Sequence, residues 1–373
     1  MAVEIREVRT PRDLKEFVRF PYRLYRGNSY WVPPLIQGEL STLDRKKNPA
    51  FEYCDASFWL ALKDGQVAGR IAGIVNRKFV DIWKTPTAGF GWFETVDDRE
   101  VSGALLETAE TWARQRGMTA VQGPMGLTNF DHQGLLIEGF DELPTIASAY
   151  NHPYYLSHLE DRGYEKVNDY LEFEVKPPKE IPEKAQRIAD IAMKRKRIRL
   201  IKPRSKKELL PYAKDIFGII NRTYSHLFAY VPLSDRQIEY YTQKYFSFIQ
   251  PEYVSLLADT EDRLVGFQIT MPSLSRAMQK ARGRLYPFGW FHLLKALKKP
   301  KTIDLYLVGI LPEYQNQGLN AVFMVDLSRI TIENRIETAE TNSEQEDNKK
   351  VQDFWKYYES RQHKRKRIVK KTL

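Results

Sequence analysis

The chain has 373 residues, of which 42% are hydrophobic and 28% charged, and this composition excludes a disordered protein and indicates a folded one. A single cysteine, Cys54, excludes an internal disulfide framework, and because no apolar run follows the charged first residues we expect a cytoplasmic protein. The net charge is −5 on residues 1–178 and +15 on residues 179–373, so the second part should meet an anionic partner.

Two consecutive prolines mark a predicted domain boundary. The length suits two domains better than a single core. A strand-like alternation ends just before Pro177 and Pro178, and neither a strand nor a helix continues easily through two prolines. We therefore predict domains at residues 1–178 and 179–373, with one large α/β domain as the alternative.

Both parts repeat one order of elements. In the first part, Asp64-Gly65 between two apolar runs predicts a hairpin. The predicted strands there are residues 58–63, 67–75, 88–96, 120–123 and 170–175, and the helices are 102–117 and 153–162. In the second part the strands are 253–258, 264–270, 302–310, 335–341 and 363–371, and the helices are 208–224, 234–248, 319–334 and 348–360. This order predicts a mixed α/β unit that occurs twice in tandem.

A long insertion, residues 273–299, separates two strands of the second part. It combines aromatic residues and leucines with flanking lysines and arginines, and Pro287 with Gly289 should divide it into two pieces. Such a composition suits a lid over an acyl chain, an element lying on a membrane surface, or ordinary packing against the sheet. Its position favours the lid over the membrane element, because the insertion leads directly into the strand 302–310.

The stretch after the strand 302–310 is typical of an anion site. A polar turn with one glycine, Gly318, opens an amphipathic helix, and the first turn of a helix has unpaired N–H groups and a positive dipole end. Gly318 would let the backbone approach a phosphate, and Gln315 and Gln317 would add side-chain donors. By itself this pattern occurs in many α/β connections.

Residues 312–320 resemble the coenzyme A pyrophosphate loop of the GNAT superfamily of N-acetyltransferases. Its motif is Arg or Gln, two residues, Gly, one residue, then Gly or Ala; Gln315 and Gly318 match it, and Asn320 replaces the last small residue. Residues 153–164 resemble the superfamily's closing helix and strand, so the first part is similar to a degenerate copy. The resemblance implies two tandem GNAT-like domains, each a mixed twisted sheet flanked by helices.

The resemblance also implies a donor site for acetyl-CoA or a longer acyl-CoA, without a metal. Backbone groups of Val308, Gly309 and Ile310 would hold the pantetheine arm and the acyl carbonyl. The other implied coenzyme A residues are Gln315, Asn316, Gln317, Gly318, Leu319, Asn320, Asn342 and Asn348.

In that superfamily a tyrosine on the fourth helix often protonates the leaving thiolate, and here its position falls on Trp355. Tyr357 and Tyr358 lie just beyond and are our candidates for this acid, because a phenol is a suitable acid toward a thiolate. The alternative is that these aromatic residues only pack. Asp304 and Glu313 are candidates for the base that deprotonates an amine.

The first part carries the acidic residues Asp97, Asp98 and Glu100 where a phosphate loop would lie, so we do not expect coenzyme A there. Two irregular stretches, residues 123–134 and 150–155, have the polar composition of functional loops, or of ordinary turns and caps. The candidate acceptor-binding residues in them are Asn129, Asp131, His132, Asn151 and His152. Their spacing is not that of a metal site.

These observations predict an N-acyltransferase that moves an acyl group from acyl-CoA to an unidentified amine, either a small molecule or a peptide. An acyl-carrier protein or an aminoacyl-tRNA remains open as donor. The alternative is a non-catalytic protein that binds acyl-CoA, RNA or an anionic membrane through its basic C-terminal half. The basic tail, residues 363–371, would then contact phosphates, although Ile368 and Val369 suggest a final strand whose charges face solvent.

Overall fold

A computed structural model describes residues 2–246, 248–355 and 357–373. These residues form one mixed sheet of 14 strands with helices on both faces. The strands are β1 (Glu4–Glu7), β2 (Cys54–Lys63), β3 (Gln66–Asn76), β4 (Thr87–Thr95), β5 (Ala120–Gly123), β6 (Leu135–Glu138), β7 (Glu165–Lys176), β8 (Arg199–Ile201), β9 (Val254–Ala258), β10 (Leu264–Pro272), β11 (Thr302–Ile310), β12 (Thr338–Thr341), β13 (Glu344–Gln345) and β14 (Glu359–Thr372). The helices are α1 (Pro11–Leu24), α2 (Ile36–Thr42), α3 (Arg77–Trp83), α4 (Arg99–Arg114), α5 (Tyr155–Glu160), α6 (Glu183–Lys196), α7 (Lys206–Leu209), α8 (Ala213–Thr223), α9 (Asp235–Tyr245), α10 (Ser275–Ala281), α11 (Gly289–Lys298), α12 (Leu319–Glu333) and α13 (Lys349–Trp355).

The two halves of the sheet have the same topology. Strands β1 to β4 are antiparallel neighbours, and β4 then pairs with β5 in parallel. Strands β8 to β11 repeat this arrangement, and β11 pairs with β12 in parallel. A helix, α4 or α12, forms each parallel crossover. The predicted mixed α/β fold in two similar halves is therefore confirmed.

Two long strands are exchanged between the halves. β7 pairs with β12, and β14 pairs with β5, while β7 and β14 also pair with each other along most of their length. Each half of the sheet is thus completed by a strand from the other half. This exchange puts side chains of both halves on the same face at the middle of the sheet.

The two faces of the central strands differ in polarity. Ile330 of α12 packs against Ile303 and Ala339 in one apolar cluster. Because successive side chains of a strand point to opposite faces, Asp304 and Glu340 point away from α12. The polar face of the central strands is therefore the one opposite α12.

Several predicted boundaries need correction. The predicted helix 348–360 is shorter: α13 ends at Trp355, and β14 already begins at Glu359. The charges of the tail do not all face solvent, because Lys364 and Lys366 are each only 1% exposed. The insertion forms two helices, α10 and α11, as expected from Pro287. In the part of the chain that the structure describes, no helix has the length and apolar character needed to cross a membrane.

Candidate active site

Strand β12 pairs with the first half of β11 and then ends. The two strands are in register only from Thr302 to Leu305, and the N–H of Asn342 then donates to the carbonyl of Leu305 at 3.0 Å. The chain after Asn342 turns to β7 through β13, whereas β11 continues beside β10 to Ile310. An opening is left beside residues 306–310, which include the predicted donor-site residues Val308, Gly309 and Ile310.

The polar turn after β11 is held by its own glutamines. The side chain of Gln315 donates to the carbonyl of Ile310 at 2.9 Å, and that of Gln317 donates to the carbonyl of Glu313 at 2.7 Å. Asn316 has a φ of 58°, in the left-handed region. These two amides thus shape the turn, which is a different role from the phosphate donors expected of them.

Helix α12 begins without a side-chain cap. Gly318 is its N-cap residue, with a φ of 82°, and no side chain bonds the first-turn N–H groups. Leu319 is buried below the helix start, whereas Asn320 is exposed. An uncapped helix N-terminus favours an anion, so this end of α12 fits a phosphate group of the donor.

Helix α6 packs against the start of α12. A Cβ atom on Gly318 would lie 3.2 Å from Cγ2 of Ile188 and 3.3 Å from Cβ of Ala192, both on α6. Glycine is therefore required here both for its positive φ and for this close packing. Beside the same turn, Glu313 is exposed and forms an ion pair with Arg222 at 3.2 Å.

Asp304 lies at the base of the opening. It is 2% exposed, and neither carboxylate oxygen makes a well-formed hydrogen bond within the described chain. Burial, assisted by the neighbouring carboxylate of Glu340, raises the pKa of Asp304 well above its usual value. A buried carboxyl with a raised pKa is suited to accept a proton from an amine.

A buried ionic network extends from Asp304 across the exchanged strands. The Nζ of Lys364 lies 3.5 Å from Glu340 and 3.7 Å from Glu172, and the Nζ of Lys366 lies 3.0 Å from Glu172. Burial alone would raise the pKa of Glu172, but Lys366, Lys364 and a hydrogen bond from Ser148 outweigh it and lower that pKa to about 2. Glu172 is thus a fixed negative charge that pairs with two buried lysines.

A cavity of about 190 Å³ lies next to this network. Ser148, which lines the cavity, donates to Glu172 at 2.7 Å. Tyr245 also lines it, and it packs on the same hydrophobic cluster as Tyr306, the first residue of β11 beyond the paired region. The cavity and the opening therefore share neighbouring side chains on the polar face of the sheet.

The cavity contains two partly buried acidic side chains, Glu94 and Asp131. Glu94 accepts hydrogen bonds from Tyr25 and Tyr155, the latter at 2.8 Å, and burial raises the pKa of Glu94. Asp131 accepts from the N–H of Thr128 at 2.9 Å, and burial raises its pKa as well. Arg70, 3.7 Å from Glu94, and Lys244 line the same cavity, so it offers both acidic and basic groups to a polar ligand.

The structure separates the predicted acceptor residues. Asp131, His132 and Asn151 line the cavity. Asn129 instead bonds the backbone of Ala229 and Val231, which ties the first part to the loop between α8 and α9. His152 stacks on Tyr154 and makes a tilted ring contact with Tyr25, outside the cavity lining. Among the described residues, no group of three or more His, Cys, Asp and Glu side chains could hold a metal ion.

The two candidate tyrosines have different surroundings. Tyr357 is 74% exposed, whereas Tyr358 packs with Leu305 and Trp355 in the cluster beneath α12. The hydroxyl of Tyr358 is buried without a well-formed hydrogen bond, and burial raises its pKa. Tyr358 is therefore the candidate nearer to the opening. Asn348 lies just before α13, and its carbonyl accepts from the N–H of Val351 at 3.2 Å.

The equivalent helix start in the first half is blocked by a side chain. Asp98 is the N-cap residue of α4, and its carboxylate accepts from the N–H groups of Glu100 and Val101. Lys63 forms ion pairs with Asp98 and Glu100. A carboxylate thus already occupies the place where an anion would bind at this helix start.

Sequence reasoning did not find Glu172, Glu340, Lys364, Lys366 or Glu94. Glu172 and Glu340 sit in strands with alternating polar residues, which are typical of a solvent-facing side. The burial of Glu172, Lys364 and Lys366, each 1% exposed, shows that this side is covered. One signal was present: a strand that carries both Lys364 and Lys366 in the middle of a folded chain needs carboxylate partners if it is buried.

The chain matches no protein-family model. Protein YghO of Escherichia coli K12 is 29% identical over 321 residues, which are 85% of this chain and 81% of that protein. The bacterial ceramide synthase of Caulobacter vibrioides is 27% identical over 317 residues, which are 83% of this chain and 80% of that protein. A solved structure, the tandem GNAT protein from the clavulanic acid biosynthesis pathway, superposes with a TM-score of 0.57 at 11% identity and covers 99% of this chain and 98% of that one. Because this similarity spans both halves, the chain has the fold of the GNAT superfamily in its tandem form.

Proposed function

We propose that this protein is an N-acyltransferase that transfers an acyl group from acyl-CoA to an amine. The observation that carries the proposal is the opening between β11 and β12, which ends at the uncapped start of α12 and has Asp304 at its base. The donor's phosphates would bind at the helix start, and its pantetheine arm would follow residues 306–310.

The reaction needs positioning and proton transfer. The amine nitrogen attacks the thioester carbonyl, a C–N bond forms, and the C–S bond breaks. The proton lost by the amine passes to the carboxylate of Asp304, whose raised pKa makes it a stronger base. The departing thiolate takes a proton from an acid, for which Tyr358 is the candidate. Backbone N–H groups at the end of β11 would polarise the carbonyl.

We place the amine in the cavity that Asp131 and Glu94 line. Its volume of about 190 Å³ is below that of most sites for drug-sized ligands, so it suits a polar head group better than a whole long molecule. One relative is named a bacterial ceramide synthase, and a ceramide is the N-acyl derivative of a long-chain amino alcohol. This name supports a fatty acyl-CoA donor and a long-chain amino alcohol as acceptor.

Steady-state kinetics with Asp131→Asn test the acceptor site. The amide still accepts a hydrogen bond from Thr128, so the fold should persist while the charge that attracts an ammonium group is lost. We expect KM for the amine to rise about tenfold, which corresponds to one charge-assisted contact, with KM for acyl-CoA unchanged. Asp141→Asn, on an exposed side chain, is the control and should match the wild type. Equal KM values for the amine in the wild type and both variants would show that the cavity is not the acceptor site.

A further inference from the structure

The segment between β10 and β11 exposes a cluster of large apolar side chains, which we call the aromatic patch. Its members are between 46% and 80% exposed and come from the start of α11 and the turn before it. They are Tyr286, Phe288, Trp290, Phe291 and Leu294. Five large apolar side chains so close together are more than the scattered single exposures expected on a soluble surface.

The patch belongs to a firmly packed element. Leu293 and Gly289 of α11 are buried on the opposite side of the helix, and α10 packs through Ala277 and Met278. Ser275 at the start of α10 donates to the carbonyl of Pro144 at 2.6 Å. The exposed side chains therefore project from a fixed support.

The patch is surrounded by positive charge. Residues 263–303 contain no Asp or Glu, and seven exposed cations lie in and around the two helices. They are Arg276, Lys280, Arg282, Arg284, Lys295, Lys298 and Lys299. None of the seven forms an ion pair within residues 2–246, 248–355 and 357–373. An anionic surface would supply the missing partners.

We propose that the aromatic patch docks on an anionic lipid bilayer, with its rings in the interfacial region and the surrounding cations on lipid phosphates. Aromatic and leucine side chains beside lysines on one face are the composition of an interfacial helix, and each cation near an anionic leaflet adds to the attraction. RNA would bind the cations and stack on the rings, but it would leave Leu294 without an apolar environment. A lid over the cavity is disfavoured, because none of the cavity-lining residues belongs to this segment.

The same segment is hydrogen-bonded to residues beside the cavity. The carbonyl of Gly283 accepts from the N–H of Ile36, and Gln279 donates to the carbonyls of Ser29 and Trp31. Trp31 also lines the cavity. The docked face is thus joined to the cavity wall. Docking itself does not depend on the proposed acyl transfer.

Vesicle flotation of the full chain tests the proposal. The probes are vesicles of phosphatidylcholine alone and equimolar vesicles of phosphatidylcholine and phosphatidylglycerol. We expect the wild type to float only with the anionic vesicles and to be released by high salt. Binding should fall at least tenfold in the triple variant Phe288→Ser, Phe291→Ser, Leu294→Ser, and also in Lys295→Gln, Lys298→Gln, Lys299→Gln.

Matched controls change the same residue types elsewhere on the surface. Ile191→Ser with Leu210→Ser removes exposed apolar side chains, and Lys184→Gln, Lys194→Gln, Lys196→Gln removes exposed lysines of α6. Both controls should float like the wild type, and all variants should keep the wild-type melting temperature. Absence of flotation for the wild type, or equal flotation of all proteins, would overturn the proposal. So would tight binding to single-stranded RNA that the serine variants keep, or a dimer that those variants convert to a monomer.

Discussion

Asp304 of β11 and Glu340 of β12 lie side by side in the parallel register at the centre of the sheet, and the paired region of the two strands ends one residue beyond them. The two carboxyl groups are close enough for each to oppose ionisation of the other, and Lys364, at 3.5 Å from Glu340, compensates in part. A carboxyl group with a raised pKa is therefore placed where β12 ends beside β11. The proposed catalysis depends on this pair of carboxyl groups.

Asp304→Asn should lower kcat by about 100-fold or more, because a general base contributes roughly that factor. KM for acyl-CoA should not change, since the residue acts on the amine. As the pKa of Asp304 is raised by burial and the base works deprotonated, kcat of the wild type should rise with pH through that raised pKa and then level off. The rising limb should be absent in the variant, as measured by a pH series of initial rates.

Stability separates this role from a structural one. A raised pKa means that the folded state holds the proton more tightly, so the contribution of Asp304 to stability is complete below about pH 3.8 and is lost as the pH rises through the folded pKa. Asp304→Asn should therefore be at least as stable as the wild type at neutral pH. The control is Asp326→Asn, a buried carboxyl that bonds Lys202 at 2.7 Å, which should lose stability and keep the pH profile. A stable Asp304→Asn enzyme with full kcat would exclude the proposed base.

Glu172→Gln should destabilise the fold by about 3–5 kcal/mol, because it leaves Lys366 buried without its partner charge and Lys364 with Glu340 alone. Since the pKa of Glu172 is lowered to about 2, its contribution is present above about pH 4.5 and is lost as the pH falls toward 2. Urea unfolding at neutral and acid pH measures both effects.

Glu174, two residues along the same strand, provides the matched comparison for Glu172. It pairs with Arg361, whose side chain is half exposed, so Glu174→Gln should cost less than about 1 kcal/mol. Equal losses in the free energy of unfolding for the two variants would show that the buried network stabilises the fold no more than an exposed ion pair does.

Asn320→Asp should weaken coenzyme A binding about tenfold, because one negative charge near a phosphate costs on the order of 1–4 kcal/mol. The same change should stabilise the fold by about 0.3–1 kcal/mol, since a carboxylate suits the first turn of α12. The affinity for coenzyme A, measured by calorimetry, should thus fall while the melting temperature rises. Gln115→Glu, an exposed amide at the end of α4, is the charge-matched control. Unchanged affinity in Asn320→Asp would place the donor elsewhere.

Tyr358→Phe should lower kcat with little change in either KM if this hydroxyl protonates the thiolate. Its stability should be kept, because the hydroxyl is buried without a well-formed hydrogen bond. Tyr357→Phe is the neighbouring control on an exposed side chain, and it should leave kcat and both KM values unchanged. Full activity of both variants would assign the proton to water or another group.

Local patterns predicted much of the fold. The hairpin around Asp64 and Gly65 is found as β2 and β3, and the strand, turn and helix around Gly318 are found as β11 and α12. These elements depend on residues near each other in the chain, so apolar periodicity and turn chemistry are sufficient for them.

Long-range pairing could not be predicted in this way. β14 shows only an irregular mixture of cations and apolar residues, and its burial follows from pairing with β7, about two hundred residues earlier. The buried roles of Lys364 and Glu172 depend on that pairing. The same holds for Gly318, whose contact with Ile188 of α6 brings together residues that no local pattern connects.

Release of the coenzyme A thiol with and without an amine tests the central proposal most directly. A fatty acyl-CoA would be incubated with the wild type, with Asp304→Asn, and with a series of amines from ethanolamine to a long-chain amino alcohol. We predict thiol release that requires the amine, is fastest with the long-chain amino alcohol, yields the N-acyl product by mass spectrometry, and is lost in Asp304→Asn. Binding of acyl-CoA without amine-dependent thiol release for any amine of the series would contradict the proposal and indicate a binding protein on the same fold.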